Sequence, residues 1–298
     1  MADLGDKAAI LPEHRAAILA VRPDLDGVPM LLRADGWDCL AIEVAGTTIF
    51  KVPHHHGAVS RLRREPATLD LIRPHVGLAL PQMVLHERPI LMSEHRKIVG
   101  EPIDPERYAV LAEPTREALA DDLAAFFAGI HAIPPAVVRA ADCDAVRPWA
   151  SSRSLLARLE GRVGAPILAM ARQVVEAHDR YGRDDVVFGQ FDTHGWNMAF
   201  DTARDRLHGL FDFAGAGIGP LHRDLSYIFF VSPDLAVRVM ARYGALTGRP
   251  VDAARAADAH GFLRVIELCD ELDGSEPVTR FEDAIAQFCQ MRCSFLQG

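Results

Sequence analysis

The sequence predicts an α+β protein with two lobes, a small antiparallel β-sheet followed by a larger, mainly helical lobe. Two observations support this class: short apolar runs between turn residues occupy the first third of the chain, and long helical patterns fill most of the remainder. A chain of 298 residues is also too long for a typical small single domain. We therefore expect one lobe over residues 1–98 and a second over residues 99–298.

A strand pair and a helix are predicted in the first lobe. Residues 39–44 and 47–52 read as two strands that flank a tight turn at Gly46, and Lys51 lies at the end of the second strand. The run from 59 to 72 has apolar residues at helical spacing and contains Glu65. Pro66 directly follows Glu65, which predicts that the helix begins near Pro66 or is kinked there.

The second lobe is predicted to be rich in helices. The Pro- and Gly-containing stretch 99–114 reads as the linker, and Thr115 as an N-cap. The helix that follows carries an apolar stripe that should be core, made of Leu119, Leu123, Phe126, Phe127 and Ile130. Further helices are expected over residues 155–178, 232–245, 251–272 and 277–296.

Three polar residues between short apolar runs suggest phosphoryl-transfer chemistry. Asp192 and Asn197 lie five residues apart in one loop, and Asp212 follows fifteen residues after Asn197. Phosphoryl transfer needs a carboxylate facing the attacking hydroxyl, which Asp192 can supply. It also needs Mg²⁺, which binds oxygen ligands and usually keeps several waters, so Asn197 and Asp212 would suffice. The runs 198–200 and 207–213 predict a hairpin that brings Asn197 and Asp212 side by side.

Composition excludes some partners. The net charge is 32 − 41 = −9, which argues against non-specific nucleic-acid binding and is compatible with a cationic acceptor. No apolar run reaches the about 20 residues that a membrane helix needs, so no membrane partner is expected. The early charges predict no signal peptide, and five irregularly spaced cysteines fit a reducing compartment. We therefore expect a cytoplasmic protein, either a monomer or a homodimer.

In combination, these motifs resemble the aminoglycoside phosphotransferase family, which also contains choline and homoserine kinases. The resemblance covers about residues 30 to 255. The matching segments are Gly36-Trp37-Asp38, Phe50–Pro53, Leu62–Glu65, Ile98–Pro102, Leu123–His131, Asp192–Asn197, Asp212–Gly215, Asp224–Ser226 and Tyr243–Val251.

The resemblance implies a two-lobed, protein-kinase-like fold and assigns roles to single residues. Asp192 would be the catalytic aspartate, and Asn197 and Asp212 would hold Mg²⁺. Lys51 would touch the phosphates of ATP or GTP and pair with Glu65. Backbone groups near two further residues, Arg96 and Ile98, would meet the nucleotide base at the hinge.

One departure from the family pattern lies in the catalytic loop. The family usually has His-Gly-Asp there, and this chain has Gln190-Phe191-Asp192. Glutamine can still donate and accept hydrogen bonds, so the loop geometry can be kept. The departure leaves open a catalytically inactive, nucleotide-binding relative.

The acceptor is the least determined feature of the sequence. An aminoglycoside-type antibiotic is the first expectation, and a sugar, amino alcohol or amino acid is the alternative. A polyamine acceptor would find carboxylates in one acidic group near the end of the chain: Glu267, Asp270, Glu271, Asp273 and Glu276. The other interpretation of this group is a solvated helix end.

Overall fold

The computed structural model describes residues 10–35, 38–141, 143, 145–272 and 279–295. Gly36 and Trp37 of the predicted nucleotide loop lie outside the described residues, as do Asp273 and Glu276 of the acidic group.

An antiparallel five-stranded sheet forms the first lobe, in the order β1-β2-β3-β5-β4. Its core is apolar, because Ile42, Val44, Phe50 and Met92 are fully buried on one side of the sheet. The elements of this lobe are α1 (Pro12–Val21), β1 (Met30–Asp35), β2 (Cys39–Val44), β3 (Thr48–Pro53), α2 (His56–Ile72), β4 (Val84–His86) and β5 (Met92–Arg96).

Helix α2 differs from its sequence-based prediction. It begins at His56, ten residues before Pro66, so the prediction of a start near Pro66 was wrong. The side chain of His55 caps the helix by accepting a hydrogen bond from Ala58 N at 3.2 Å. Proline inside a helix removes one backbone hydrogen bond. Burial of Leu62 and Leu69 on the core side of the same helix offsets that loss.

Helices predominate in the second lobe, as predicted. The predicted stripe on α4 is buried throughout, and this helix packs mainly against α9. The elements are α3 (Pro105–Val110), α4 (Glu113–His131), α5 (Pro135–Ala140), α6 (Ser152–Leu159), α7 (Ala165–Asp179), β6 (Val186–Gly189), β7 (Met198–Asp201), β8 (Arg206–Leu210), β9 (Gly217–Pro220), α8 (Leu221–Leu225), α9 (Pro233–Thr247), α10 (Ala253–Leu272) and α11 (Thr279–Phe295).

The predicted hairpin is present and positions the site. Strands β7 and β8 pair antiparallel, and Phe211 N donates to Asn197 O at 3.1 Å beyond the end of the ladder. The second strand ends at Leu210 rather than at Phe213, because Asp212 adopts a φ of 64°, which a strand does not allow. Asn197 and Asp212 therefore lie at the same end of one hairpin.

The two lobes are connected through residues 97–101. Glu101 and Phe200 exchange backbone hydrogen bonds at 2.8 and 2.9 Å, which fixes the connection to β7. A Cβ atom on Gly209 would lie 2.5 Å from the backbone oxygen of Ala79 and 2.8 Å from the Ile98 side chain, so glycine is needed at this close approach. In the described ranges, no helix combines the length and the apolar character that crossing a bilayer requires.

Candidate active site

Lys51 joins two carboxylates that come from different parts of the chain. Its Nζ lies 3.3 Å from Glu65 Oε1 on α2 and 3.0 Å from Asp212 Oδ1 after β8. Glu65 Oε1 also accepts a hydrogen bond from Phe213 N at 2.9 Å. Strand β3, helix α2 and the segment after β8 are thereby held at one point of the cleft.

Electrostatics in this group favour the charged ammonium and a charged Asp212. Burial works against the charge on Lys51, but Asp212 and Glu65 outweigh it and raise the pKa of Lys51. Burial would raise the pKa of Asp212, yet the ammonium of Lys51 lowers it below the ordinary aspartate value. Burial raises the pKa of Glu65, which is fully enclosed.

Asp192 and Asn197 form a second group in the catalytic loop. Asn197 Nδ2 donates to Asp192 Oδ2 at 2.8 Å and to Asp192 O at 2.9 Å. Burial and the negative charge of Asp212 raise the pKa of Asp192 well above its ordinary value, in spite of the hydrogen bond from Asn197. Asp192 still exposes 39% of its side chain, so its carboxylate can meet a molecule in the cleft.

His194 lies beside this second group without adding charge to it. Its Nε2 is 3.4 Å from Asp192 Oδ1 and 3.4 Å from Asn197 Nδ2. Burial lowers the pKa of His194 to about 4, so the ring is neutral at physiological pH. It therefore does not neutralise Asp192.

Gln190 connects the catalytic loop with the Asp212 segment. Its Nε2 donates to Phe211 O at 2.9 Å and to Asp212 O at 3.2 Å, and its Oε1 accepts from Thr193 Oγ1 at 2.8 Å. Both functions of the amide are used, as the sequence argument expected of a glutamine at this position. Gln190 thus links the loop to the Asp212 segment from the position where the family usually has histidine.

A buried network anchors the loop from behind, and its members were noted in the sequence only as parts of resemblance motifs. The backbone N–H of Phe191 donates to Asp224 Oδ1, and the other oxygen of Asp224 lies 2.8 Å from His131 Nε2. His131 Nδ1 in turn is 3.0 Å from the Tyr243 hydroxyl. This network fixes Phe191, which adopts a φ of 59°, a left-handed conformation that is unusual for a bulky residue.

The two predicted hinge residues lie where the lobes meet. Arg96 ends β5, and its carbonyl oxygen lies 3.0 Å from His95 Nδ1. Ile98 follows the strand, and in the part of the chain that the structure describes its N–H and C=O have no hydrogen-bond partner. Two unused backbone groups at this place suit the recognition of a base, so the hinge role stays a prediction with Ile98 as its better candidate.

The described members of the acidic group proposed for a polyamine lie on α10, and two of them have partners within the chain. Glu267 Oε2 is 2.7 Å from Arg264 Nη1, and Asp270 Oδ1 is 2.9 Å from Arg158 Nη2. Glu271 lies one residue further along the same helix and is partly exposed. Among the described residues, these carboxylates make no contact with Asp192, and the role of the group stays a prediction.

The residues in the cleft fit Mg²⁺. The amide nitrogen of Asn197 donates its hydrogen bonds to Asp192. The side-chain oxygen of Asn197 accepts no hydrogen bond from the described residues, so it is available to a metal ion. Asp212 is ionised and exposes 43% of its side chain. One neutral and one charged oxygen match the few protein ligands that Mg²⁺ takes when phosphates and water complete its shell.

Comparison with known proteins gives a family match. The model of the "Phosphotransferase enzyme family" matches residues 32–268. This range contains both groups of the cleft, the hinge and most of α10. No curated protein matches the chain closely enough to count as a relative.

Solved structures give the same fold. The GDP complex of wild-type aminoglycoside 2'-phosphotransferase-IIIa is 18% identical with a TM-score of 0.79, covering 94% of this chain and 97% of that one. The gentamicin complex of APH(2")-IIa is 16% identical with a TM-score of 0.68, covering 94% and 97%. Macrolide 2'-phosphotransferase MphH from Brachybacterium faecium is 17% identical with a TM-score of 0.64, covering 92% and 97%. The two-lobed, kinase-like fold predicted from the sequence is confirmed.

Proposed function

Because this chain belongs to the phosphotransferase enzyme family, we propose that it moves the γ-phosphate of ATP or GTP to a hydroxyl group of a small molecule, with Mg²⁺. The observation that carries this proposal is the meeting of two groups in one cleft. Lys51 and Asp212 provide a cation and an ionised carboxylate, and Asp192 and Asn197 lie beside them. The nucleotides found in structural neighbours, GDP among them, support a nucleotide donor.

Each residue has a distinct part in the proposed transfer. Lys51 binds phosphate oxygens, and Glu65 holds the lysine in place from the enclosed side. Asn197 and Asp212 hold Mg²⁺, which when bound neutralises phosphate charge. Asp192 orients the acceptor hydroxyl and receives its proton. Its side chain is 39% exposed, so the carboxylate can reach a hydroxyl group in the cleft, and a raised pKa makes it a stronger proton acceptor than an ordinary aspartate.

The acceptor has two candidates. The aminoglycoside-type antibiotic expected from the sequence agrees with the neighbours, which include aminoglycoside and macrolide phosphotransferases. Glu267, Asp270 and Glu271 would be its cation-binding group. The second candidate is a sugar, amino alcohol or amino acid. One observation favours it: Glu267 and Asp270 are already paired with arginines, so a polycation would have to compete for them.

Thermal melting tests the donor first. We expect ATP or GTP to raise the melting temperature of the protein when Mg²⁺ is present and not when it is left out. A ligand at 100 times its dissociation constant adds about 2.7 kcal/mol of stability, which is easily measured. No shift at millimolar nucleotide would contradict the proposal and indicate a relative that has kept the fold and lost nucleotide binding. A shift without any transfer to aminoglycosides, macrolides, sugars or amino alcohols would limit the function to nucleotide binding.

A further inference from the structure

Arg223 is an unusual cation close to the catalytic loop. It lies on α8, and its guanidinium carbon is 4.5 Å from the ring centroid of Trp149 and 5.5 Å from that of Phe191. Two aromatic rings therefore contact this guanidinium, and cation–π attraction favours its position. Phe191 directly precedes Asp192, so the cation lies close to the catalytic loop.

The charge of Arg223 lacks a carboxylate partner among the residues that the structure describes. Nη1 donates to Arg147 O at 2.8 Å, and Nε is buried with no hydrogen-bond partner in the described part of the chain. The adjacent carboxylate, Asp224, already binds His131 and the backbone of Phe191. Among the partly buried arginines of this lobe, Arg238, Arg242 and Arg292 each have ion pairs with carboxylates. Arg116 resembles Arg223, because it donates to backbone carbonyls and lies over an aromatic ring, but it belongs to α4 rather than to the surroundings of the catalytic loop.

Arg223 also shares its surroundings with Asp192. Tyr227 belongs to the same small apolar cluster as Phe191, together with Leu263. Burial and the nearby charge of Asp192 raise the pKa of Tyr227, and Arg223 acts on the same phenol in the opposite direction. Burial lowers the pKa of Arg223 itself, although its hydrogen bond with Tyr227 and the negative charge of Asp224 act in the opposite direction.

We propose that Arg223 recognises an oxyanion on the acceptor, a carboxylate or a phosphate monoester, and so selects anionic rather than polycationic hydroxyl compounds. This inference rests on the proposed phosphotransfer and names the acceptor class of the same site. A guanidinium forms charge-assisted, often bidentate hydrogen bonds with both kinds of oxyanion. A polycation would instead meet a like charge close to the loop that carries Asp192.

Matched acceptors that differ in charge test the proposal. One set is glycerol, glycerate, glycerol 3-phosphate and 2-amino-1,3-propanediol, and the other is glucose, glucuronate, glucose 6-phosphate and glucosamine. We would measure kcat/KM with Mg²⁺-ATP and Mg²⁺-GTP, and melting temperatures with each compound alone. We expect the carboxylate or phosphate member of a set to be preferred and to raise the melting temperature. Which of the two anions is preferred identifies the oxyanion.

Variants locate the effect. Arg223→Gln should lower kcat/KM for the anionic member by about 10- to 100-fold, since it removes a charge-assisted pair, and should leave the neutral member within about twofold. Arg223→Lys keeps the charge, so its kcat/KM for the anionic member should lie between the values of the wild type and of Arg223→Gln. Arg255→Gln is the matched control, because Arg255 also lies over an aromatic ring in this lobe, that of Tyr181, but pairs with Asp184. Arg255→Gln should leave the preference for the anionic member unchanged in both acceptor sets.

Three results would overturn the inference. The first is a preference for the amine or neutral members, or no melting shift with any anion at tens of millimolar. The second is an unchanged preference in a folded Arg223→Gln protein. The third is an equal loss of kcat for all members, which would assign Arg223 to the transferred phosphoryl group. Anion binding through Arg223 without Asp192-dependent transfer would instead contradict the proposed function and leave the anion site standing.

Discussion

Asp192 and Asp212 are two carboxylates in one cleft, and their environments shift their pKa values in opposite directions. Lys51 lies 3.0 Å from Asp212 and lowers its pKa. Asp192 has a neutral amide and a neutral imidazole as its neighbours, and burial and the charge of Asp212 raise its pKa. The opposite shifts agree with the two roles proposed for these aspartates, cation binding at Asp212 and proton acceptance at Asp192.

The comparison shows that the two groups depend on one another. Ionised Asp212 contributes to the raised pKa of Asp192, so a cation bound at Asp212 would weaken that repulsion. Gln190 contacts both segments and keeps them in register. The following predictions disturb one group at a time.

The largest effect is expected from Asp192→Ala. Removing the proton acceptor should lower kcat by about 10²- to 10⁴-fold. The melting shift with Mg²⁺-nucleotide should stay close to that of the wild type, because Lys51 and Asp212 are untouched. Asp201→Ala, a carboxylate paired with Arg204 on the surface, is the control. Activity that survives Asp192→Ala would show that the assignment of Asp192 is wrong.

Lys51→Met should remove the cation that lowers the pKa of Asp212 and with it the main difference between the pKa values of Asp192 and Asp212. Breaking a buried pair typically costs about 3–5 kcal/mol of unfolding free energy, and the low end is expected here because Glu65 can take up a proton. Urea denaturation measures the loss. Adding Glu65→Gln to Lys51→Met should recover part of it. A loss below about 1 kcal/mol would mean that the ion pair contributes little to the fold.

Asp212→Ala should act on metal and nucleotide rather than on the proton acceptor. Losing a carboxylate at a metal site should weaken Mg²⁺-dependent nucleotide binding by about 10- to 100-fold. Titration calorimetry with and without Mg²⁺ separates metal-dependent binding from the remaining contacts. Unchanged affinity would remove Asp212 from the metal site.

Gln190→Ala tests the connection between the two groups. It leaves the Thr193 hydroxyl and two carbonyl groups without this partner, which should cost about 1–3 kcal/mol of unfolding free energy. Gln190→His restores the family's residue and should recover part of the stability and of kcat. Chemical denaturation and initial rates report both. A fully stable Gln190→Ala protein would show that the loop is held from behind by Asp224 alone.

The smallest effect is expected from Asp192→Asn on the protein without ligands. The folded state holds the Asp192 proton more tightly than the unfolded state, so this group's contribution to stability falls as pH rises from about 3.8 through the raised pKa. The Asn variant should melt higher than the wild type at neutral pH, and the difference should narrow as pH falls toward 4. Melting curves between pH 4 and 8 measure it. A difference independent of pH would contradict the raised pKa.

Several elements followed from local patterns alone. The α4 stripe and the β7–β8 hairpin depend on apolar spacing and on turn residues, which are local in the chain. The predicted start of α2 was wrong, because the packing of Leu62 and Leu69 outweighs the local cost of Pro66 inside the helix. The boundary between residues 98 and 99 stays a prediction, as do the roles assigned to the site residues.

Other features of the site could not be inferred from local patterns. Phe191 in a left-handed conformation is held by Asp224, 33 residues further along the chain. Arg223 could not be singled out in the sequence, because the absence of a carboxylate partner among the described residues is a property of the folded chain. Asp224 and His131 stood within segments of the family resemblance, but the contact between them did not follow from either segment.

The sequence by itself determined which chemical groups are available, since the spacing of Asp192, Asn197 and Asp212 follows from a short loop and one hairpin. Only the tertiary structure decided how those groups are charged. Lys51 and Asp212 are separated by 161 positions and meet at 3.0 Å, whereas Asp192 meets no cation at such a distance among the described residues. Coulomb interactions depend on distance and burial rather than on sequence separation, so identical aspartates acquire different pKa values only after the chain has folded.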